Sequence, residues 1–103
     1  MAGSETSTRP FDVATYLRTP EDAAAYLSAA LEENDPAAFR RALGDVARAR
    51  SMASVAEASG LGRESLYKAL SQTGNPSLDT VQRVVSALGL TLAVLPAAPA
   101  IDL

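Results

Sequence analysis

The sequence predicts an all-α domain: five helices with a helix-turn-helix at the centre, followed by a short C-terminal strand. Three observations carry that prediction. Two proline-led starts, Thr19-Pro20 and Asp35-Pro36, open helices near the N-terminus. The run Ser51 to Leu70, SMASVAEASGLGRESLYKAL, has the spacing of two short helices crossed around a glycine. Val81, Val84, Val85 and Leu88 then fall at i, i+3, i+4 and i+7, one apolar helical stripe. A chain of 103 residues suits one domain. Much of its apolar fraction of 48% is alanine, which packs helices closely and supports no thick sheet.

Residues 1–10, rich in Ser and Thr, have no apolar periodicity and read as a disordered tail. The domain is expected over 11–96, its N-terminal helices over 11–50. Phe11, Val13, Tyr16 and Leu17 suggest a short helical turn behind Asp12. Thr19 can cap an orphan amide and Pro20 loses no hydrogen bond at the first helical position. Glu21 and Asp22 favour the positive end of the dipole. That helix extends to about Glu33, with Ala23, Leu27, Ala30 and Leu31 on one face and Tyr26 beside it. The next, opened by Asp35-Pro36, reaches about Arg50 and buries Phe39, Leu43, Val46 and Ala47, leaving Arg40, Arg41 and Arg48 outside.

The central pair is placed over 51–71, one helix from about Met52 to Ser59 and the next from about Arg63 to Ser71. Gly74-Asn75-Pro76 forms a loop, Ser77 caps the fifth helix, placed over 77–89, and Gly89 stops it. Leu90 to Leu95, LTLAVL, is apolar, partly β-branched and closed by Pro96, so it reads as a strand over 90–95. A lone strand leaves its backbone unsatisfied, so pairing across a homodimer is expected, or the segment is no strand at all. Residues 97–103 are a tail.

Cysteine and histidine are both absent, which removes disulfides, thiolate chemistry, imidazole base catalysis and ordinary zinc sites together. With no Gly-rich phosphate loop either, no catalytic residue, cofactor or metal is expected. No segment approaches the length of a membrane span and the N-terminus is too polar for a signal peptide, so a cytoplasmic location is expected. The net charge of −3 disfavours nucleic acid, yet its distribution is uneven. Residues 1–35 hold seven acids against two bases, whereas residues 36–68 hold six bases against three acids.

Two tightly crossed helices need a small residue in the first, a glycine at the turn and apolar anchors in the second. Ala56, Gly60, and Leu61, Leu66, Ala69 and Leu70 meet those needs, with Val55 adding to the core. The exposed face of the second helix then holds Arg63, Glu64, Ser65, Tyr67, Lys68 and Ser71, the candidate readers of a DNA major groove. Arg63 suits guanine O6 and N7 as a bidentate donor, and Tyr67, Lys68 and Ser71 suit base edges or phosphate. Glu64 either accepts from cytosine N4 or orients Arg63. Gln72 and Asn75 stand where a following loop meets the phosphate backbone. An alanine-rich helix, a glycine and a second helix also occur in bundles that bind no nucleic acid. The capped fifth helix and the thinning of acids in the centre favour the DNA reading.

The run Arg63 to Ser71, then Gly74-Asn75-Pro76 and Ala87-Leu88-Gly89-Leu90, closely resembles the probable addiction module antidote proteins. These are antitoxins of the repressor-like helix-turn-helix superfamily, HigA-like members of type II toxin-antitoxin systems. The resemblance extends upstream through Phe11-Asp12, Tyr16-Leu17, Ala25-Tyr26-Leu27 and Ala42 to Arg50, covering about 11–96. It implies a five-helix repressor-like fold and a DNA-binding homodimer that represses its own operon by binding double-stranded operator DNA. It implies as partner a small basic RelE-like toxin, an mRNA-cleaving ribonuclease. Met52-Ala53-Ser54 departs from the pattern, lacking the glutamine that contacts phosphate early in the first motif helix; Ser51 or Ser54 is the available substitute.

Other features have two readings each. The acids Glu21, Asp22, Glu32, Glu33 and Asp35 either meet a basic toxin by complementary potential or form an ordinary solvated surface. Arg41 and Asp45 have the spacing of a helical ion pair, while Arg40, Arg48 and Arg50 are open between phosphate contact and pairing. Tyr16 and Tyr26 suit core or dimer packing. The rival functions are a stand-alone prophage-type regulator and a toxin-binding module with little DNA affinity.

Overall fold

A computed structural model describes Leu17 and residues 19–97. The turn expected over Phe11 to Tyr16 lies outside the described residues. Five helices follow in order: α1 Pro20–Glu32, α2 Pro36–Arg50, α3 Met52–Ser59, α4 Arg63–Ala69 and α5 Leu78–Ala87. α1 packs on α2, and α3 packs on α2, α4 and α5, so the short third helix is the hub of the fold.

Local chemistry sets the helix starts. Thr19 Oγ1 accepts from the Asp22 N–H at 3.1 Å, Asp35 Oδ1 from the Ala37 N–H at 3.0 Å, and Ser77 Oγ from the Thr80 N–H at 3.1 Å. Each satisfies one amide that has no partner inside its own helix. Between α1 and α2, Asn34 takes a left-handed φ of 55°, a conformation asparagine tolerates better than most residues. α5 stops in a Schellman motif: the Gly89 N–H reaches Ser86 O at 2.9 Å and the Leu90 N–H reaches Val85 O at 3.0 Å, with Gly89 at φ 79°.

Ser51 is the one residue between α2 and α3, ending one and capping the other. Its N–H donates to Ala47 O at 2.9 Å, its carbonyl accepts from Val55 at 3.0 Å, and its hydroxyl accepts from the Ser54 N–H at 3.2 Å. These bonds hold it at φ 120°, where a side chain rarely sits; strain of this kind costs about 1–3 kcal/mol.

The core draws Leu27 from α1, Leu43 and Val46 from α2, Val55 from α3, Leu66 from α4, and Val84 and Val85 from α5, closed by Leu88. Leu17, just ahead of α1, is fully buried with them. Alanines at 23, 30, 42, 47 and 56 fill the close helix crossings.

Four expectations need correction. Leu31, expected on the buried face of α1, is 50% exposed, because in the last turn of that helix the covered position is Ala30, which is 7% exposed. α4 ends at Ala69 rather than Ser71, since the chain folds back through Gly74 directly against its last carbonyls. Arg41 does not pair with Asp45; that carboxylate is taken by Tyr26 and Arg48. Arg48 therefore bends along its own helix instead of standing free. The segment read as a strand, 90–95, has no regular secondary structure in the single chain, which gives its backbone no neighbouring edge to pair with.

Candidate nucleic-acid interface

α3 and α4 are joined by Gly60-Leu61-Gly62, and the sharpness of that connection comes from two features. Gly60 adopts φ 78°, the left-handed conformation that glycine enters without a steric penalty. Ser59, buried although polar, donates its hydroxyl to Ala56 O at 3.2 Å and accepts from the Leu61 N–H at 3.3 Å, stitching the end of α3 to the turn. Arg83 of α5 reaches Ser59 O at 3.5 Å while its Nε pairs with Asp79 at 3.0 Å. Neither Ser59 nor Arg83 stood out in the sequence. A hydroxyl near the end of a short helix, one residue before a glycine, was the available hint.

α4 is fixed from one side. Leu66 is fully buried and Leu70, its C-cap, is 6% exposed, so the opposite face turns outward by helical geometry. Arg63, Glu64, Ser65 and Lys68 are exposed on it and Tyr67 is 49% exposed. Among the described residues the salt bridges are Arg48–Asp45 and Arg83–Asp79, so Arg63, Glu64 and Lys68 are not in ion pairs with each other. A side-chain face of two cations, an acid, a hydroxyl and a phenol, unneutralised and projecting together, has the donors and acceptors to contact a polar partner.

The remaining expected residues lie past the helix. Ser71 is half-buried and its hydroxyl donates to Lys68 O at 2.9 Å, which commits its proton to the end of α4. Gln72 and Asn75 are exposed in the connection to α5. Of the two serines considered as phosphate contacts, Ser51 is engaged as the α3 cap, whereas Ser54 is exposed.

A second polar cluster sits between α1 and α2. The Tyr26 hydroxyl donates to Asp45 Oδ2 at 2.6 Å, and Arg48 Nη2 donates to Asp45 Oδ1 at 3.0 Å. That hydrogen bond, with burial and the negative charge of Asp45 behind it, pushes the Tyr26 phenol up to about 12. Its geometry explains why Arg41 lacks its expected partner.

The described residues thus define a small all-helical protein with an exposed polar face, free of salt bridges, on one short helix. They contain no group of metal-ligating side chains, and no helix long and apolar enough to cross a membrane. The family model for the probable addiction module antidote proteins matches residues 7–96, and the chain belongs to that family. It is also similar to an uncharacterized protein of Haemophilus influenzae, 46% identical over 86 residues, which is 84% of this chain and 89% of that protein. No solved structure matches the chain. An antidote of an addiction module has a toxin as its partner.

Proposed function

We propose that the chain is the DNA-binding antitoxin of a type II module, of HigA-like type: a non-enzymatic, cytoplasmic homodimer that represses its operon and neutralises a small basic RelE-like ribonuclease. The observation that carries the DNA half is α4: anchored inward by Leu66 and Leu70, it presents Arg63, Glu64, Ser65, Tyr67 and Lys68 outward and unneutralised. Two copies related by a two-fold axis set these helices in successive major grooves roughly 34 Å apart. Gln72 and Asn75 then meet the phosphate backbone, and Ser71 supports them at the helix end. The segment 90–95 supplies pairing between protomers, since Val94 and Leu95 are 99% and 77% exposed beside a backbone without a partner strand.

Fluorescence anisotropy on a duplex from the chain's own promoter tests this reading. Arg63→Ala/Lys68→Ala is expected to weaken binding by about tenfold or more and to flatten its salt dependence. No binding at low salt, or equal binding by the double variant, removes α4 as the reading element.

A second reading, a toxin-binding module with little DNA affinity, has its own support. Glu21, Glu32, Glu33 and Asp35 are exposed at the two ends of α1, complementary in sign to a basic toxin. A stable complex with the neighbouring small basic protein, without operator binding, selects it. Absence of any such neighbouring gene selects a stand-alone prophage-type regulator.

A further inference from the structure

The loop after α4 is built against the helix it follows. The Gly74 N–H donates to Ser71 O at 2.9 Å, and Gly74 lies so close to the carbonyls of Lys68 and Ala69 that no side chain fits there. What ties this unit to the body of the protein comes from α2. Arg40 Nη2 donates to the backbone carbonyl of Gln72 at 2.7 Å across 32 residues of sequence. That is a short, charge-assisted bond. Among the described residues it is the side-chain hydrogen bond that reaches the backbone of 72–76. Arg40, Asn75 and Pro76 also share one wall of the groove between α2 and the loop.

The bond comes at a cost. Arg40 Nε is buried and has no hydrogen-bond partner among the described residues, so one of the guanidinium's N–H donors is left unsatisfied while another holds the carbonyl. A fully solvated arginine at the same position on α2 avoids that loss. We propose that Arg40 is a positioning residue: by holding the Gln72 carbonyl it fixes the loop so that the Gln72 and Asn75 side chains stand ready for the DNA backbone. The proposal rests on the operator-binding reading above. Arg40 itself does not touch DNA, and its effect passes through the loop.

The test uses the full chain, with Arg40→Met to keep the stem and remove the donors, and Arg40→Lys to restore one. On the promoter duplex Arg40→Met is expected to weaken binding about tenfold, with Arg40→Lys between it and the wild type. Gln72→Ala/Asn75→Ala keeps the carbonyl that Arg40 holds but removes the side chains the loop presents. In that background Arg40→Met is expected to change affinity by less than about twofold, the signature of two sites acting as one unit. Without DNA, amide exchange at Gly74 accelerates in Arg40→Met while amides of α3 and α5 are unchanged. The melting temperature changes little, because removal of the buried, unpartnered Nε offsets the loss of the hydrogen bond to Gln72. An equal loss in both backgrounds overturns the proposal, as does unchanged exchange at Gly74. If Gln72→Ala/Asn75→Ala weakens binding and Arg40→Met does not, the positioning role fails and the operator reading stands. If the wild-type chain binds no DNA, the operator reading itself fails and the DNA role of Arg40 with it.

Discussion

Replacing Gly74 with alanine separates two reasons a protein needs glycine. A methyl group there stands 2.5 Å from Lys68 O and 2.7 Å from the Ala69 carbonyl carbon, far inside ordinary contact. Both are backbone atoms at the end of α4, with no rotamer to relieve them, so the loop itself must move. Such overpacking costs about 1–3 kcal/mol, and giving up the Gly74 to Ser71 hydrogen bond adds about 1 kcal/mol. The total, about 2–4 kcal/mol, lowers the melting temperature of a domain this size by at least about 8 °C. Gly74 is not among the residues with positive φ, so backbone preference contributes little. Gly60 is the converse: its φ is 78°, but an added methyl meets only Arg83 Nη1 at 3.5 Å. Gly60→Ala therefore carries a conformational penalty alone, about 1–2 kcal/mol, or about 4–16 °C. Thermal melts followed by circular dichroism compare the two. A Gly74→Ala protein melting within about 2 °C of wild type, or a larger loss for Gly60→Ala, refutes this assignment of causes.

Leu66→Ala removes the fully buried anchor of α4 and is expected to cost about 2–5 kcal/mol; a denaturant midpoint close to that of wild type shows that α4 is held elsewhere. Tyr26 makes a pH-dependent contribution whose sign is fixed by its raised pKa of about 12. The folded state holds the phenolic proton more tightly than the unfolded one, so the stabilisation is complete below about 10 and disappears as pH rises towards about 12. Absorbance titration of tyrosinate is expected to show a late-titrating component from Tyr26, which moves back towards the ordinary value in Asp45→Asn. A Tyr26→Phe protein with the same late titration contradicts the pairing.

Much of the helical framework is legible in the sequence because its causes are local. Thr19, Asp35 and Ser77 cap the amides next to them, and the stripe Val81, Val84, Val85, Leu88 states its own orientation. Where expectation and structure part, the deciding partner is distant in sequence. Arg41 and Asp45 have suitable spacing, but Tyr26, 19 residues upstream, and Arg48 occupy the carboxylate. Helical periodicity puts Leu31 inward, yet in the last turn of α1 the covered position is Ala30 and Leu31 stays half exposed. For 90–95, the composition of a strand is present without an edge to receive it. At the candidate interface the exposed face of α4 follows from Leu66 and Leu70, whereas the tie from Arg40 to Gln72 spans two elements and has no pattern in the sequence to announce it.

The single-residue junction at Ser51 restricts how this domain can change. The α1–α2 and α4–α5 connections have several residues in which an insertion dissipates, but α2 and α3 share one set of backbone torsions. One inserted residue there changes the direction in which α3 leaves α2, and with it the placement of Val55 and Ala56 in the core. A change of length at this junction is therefore expected to be poorly tolerated, and the angle between α2 and α3 is set by the torsions of Ser51.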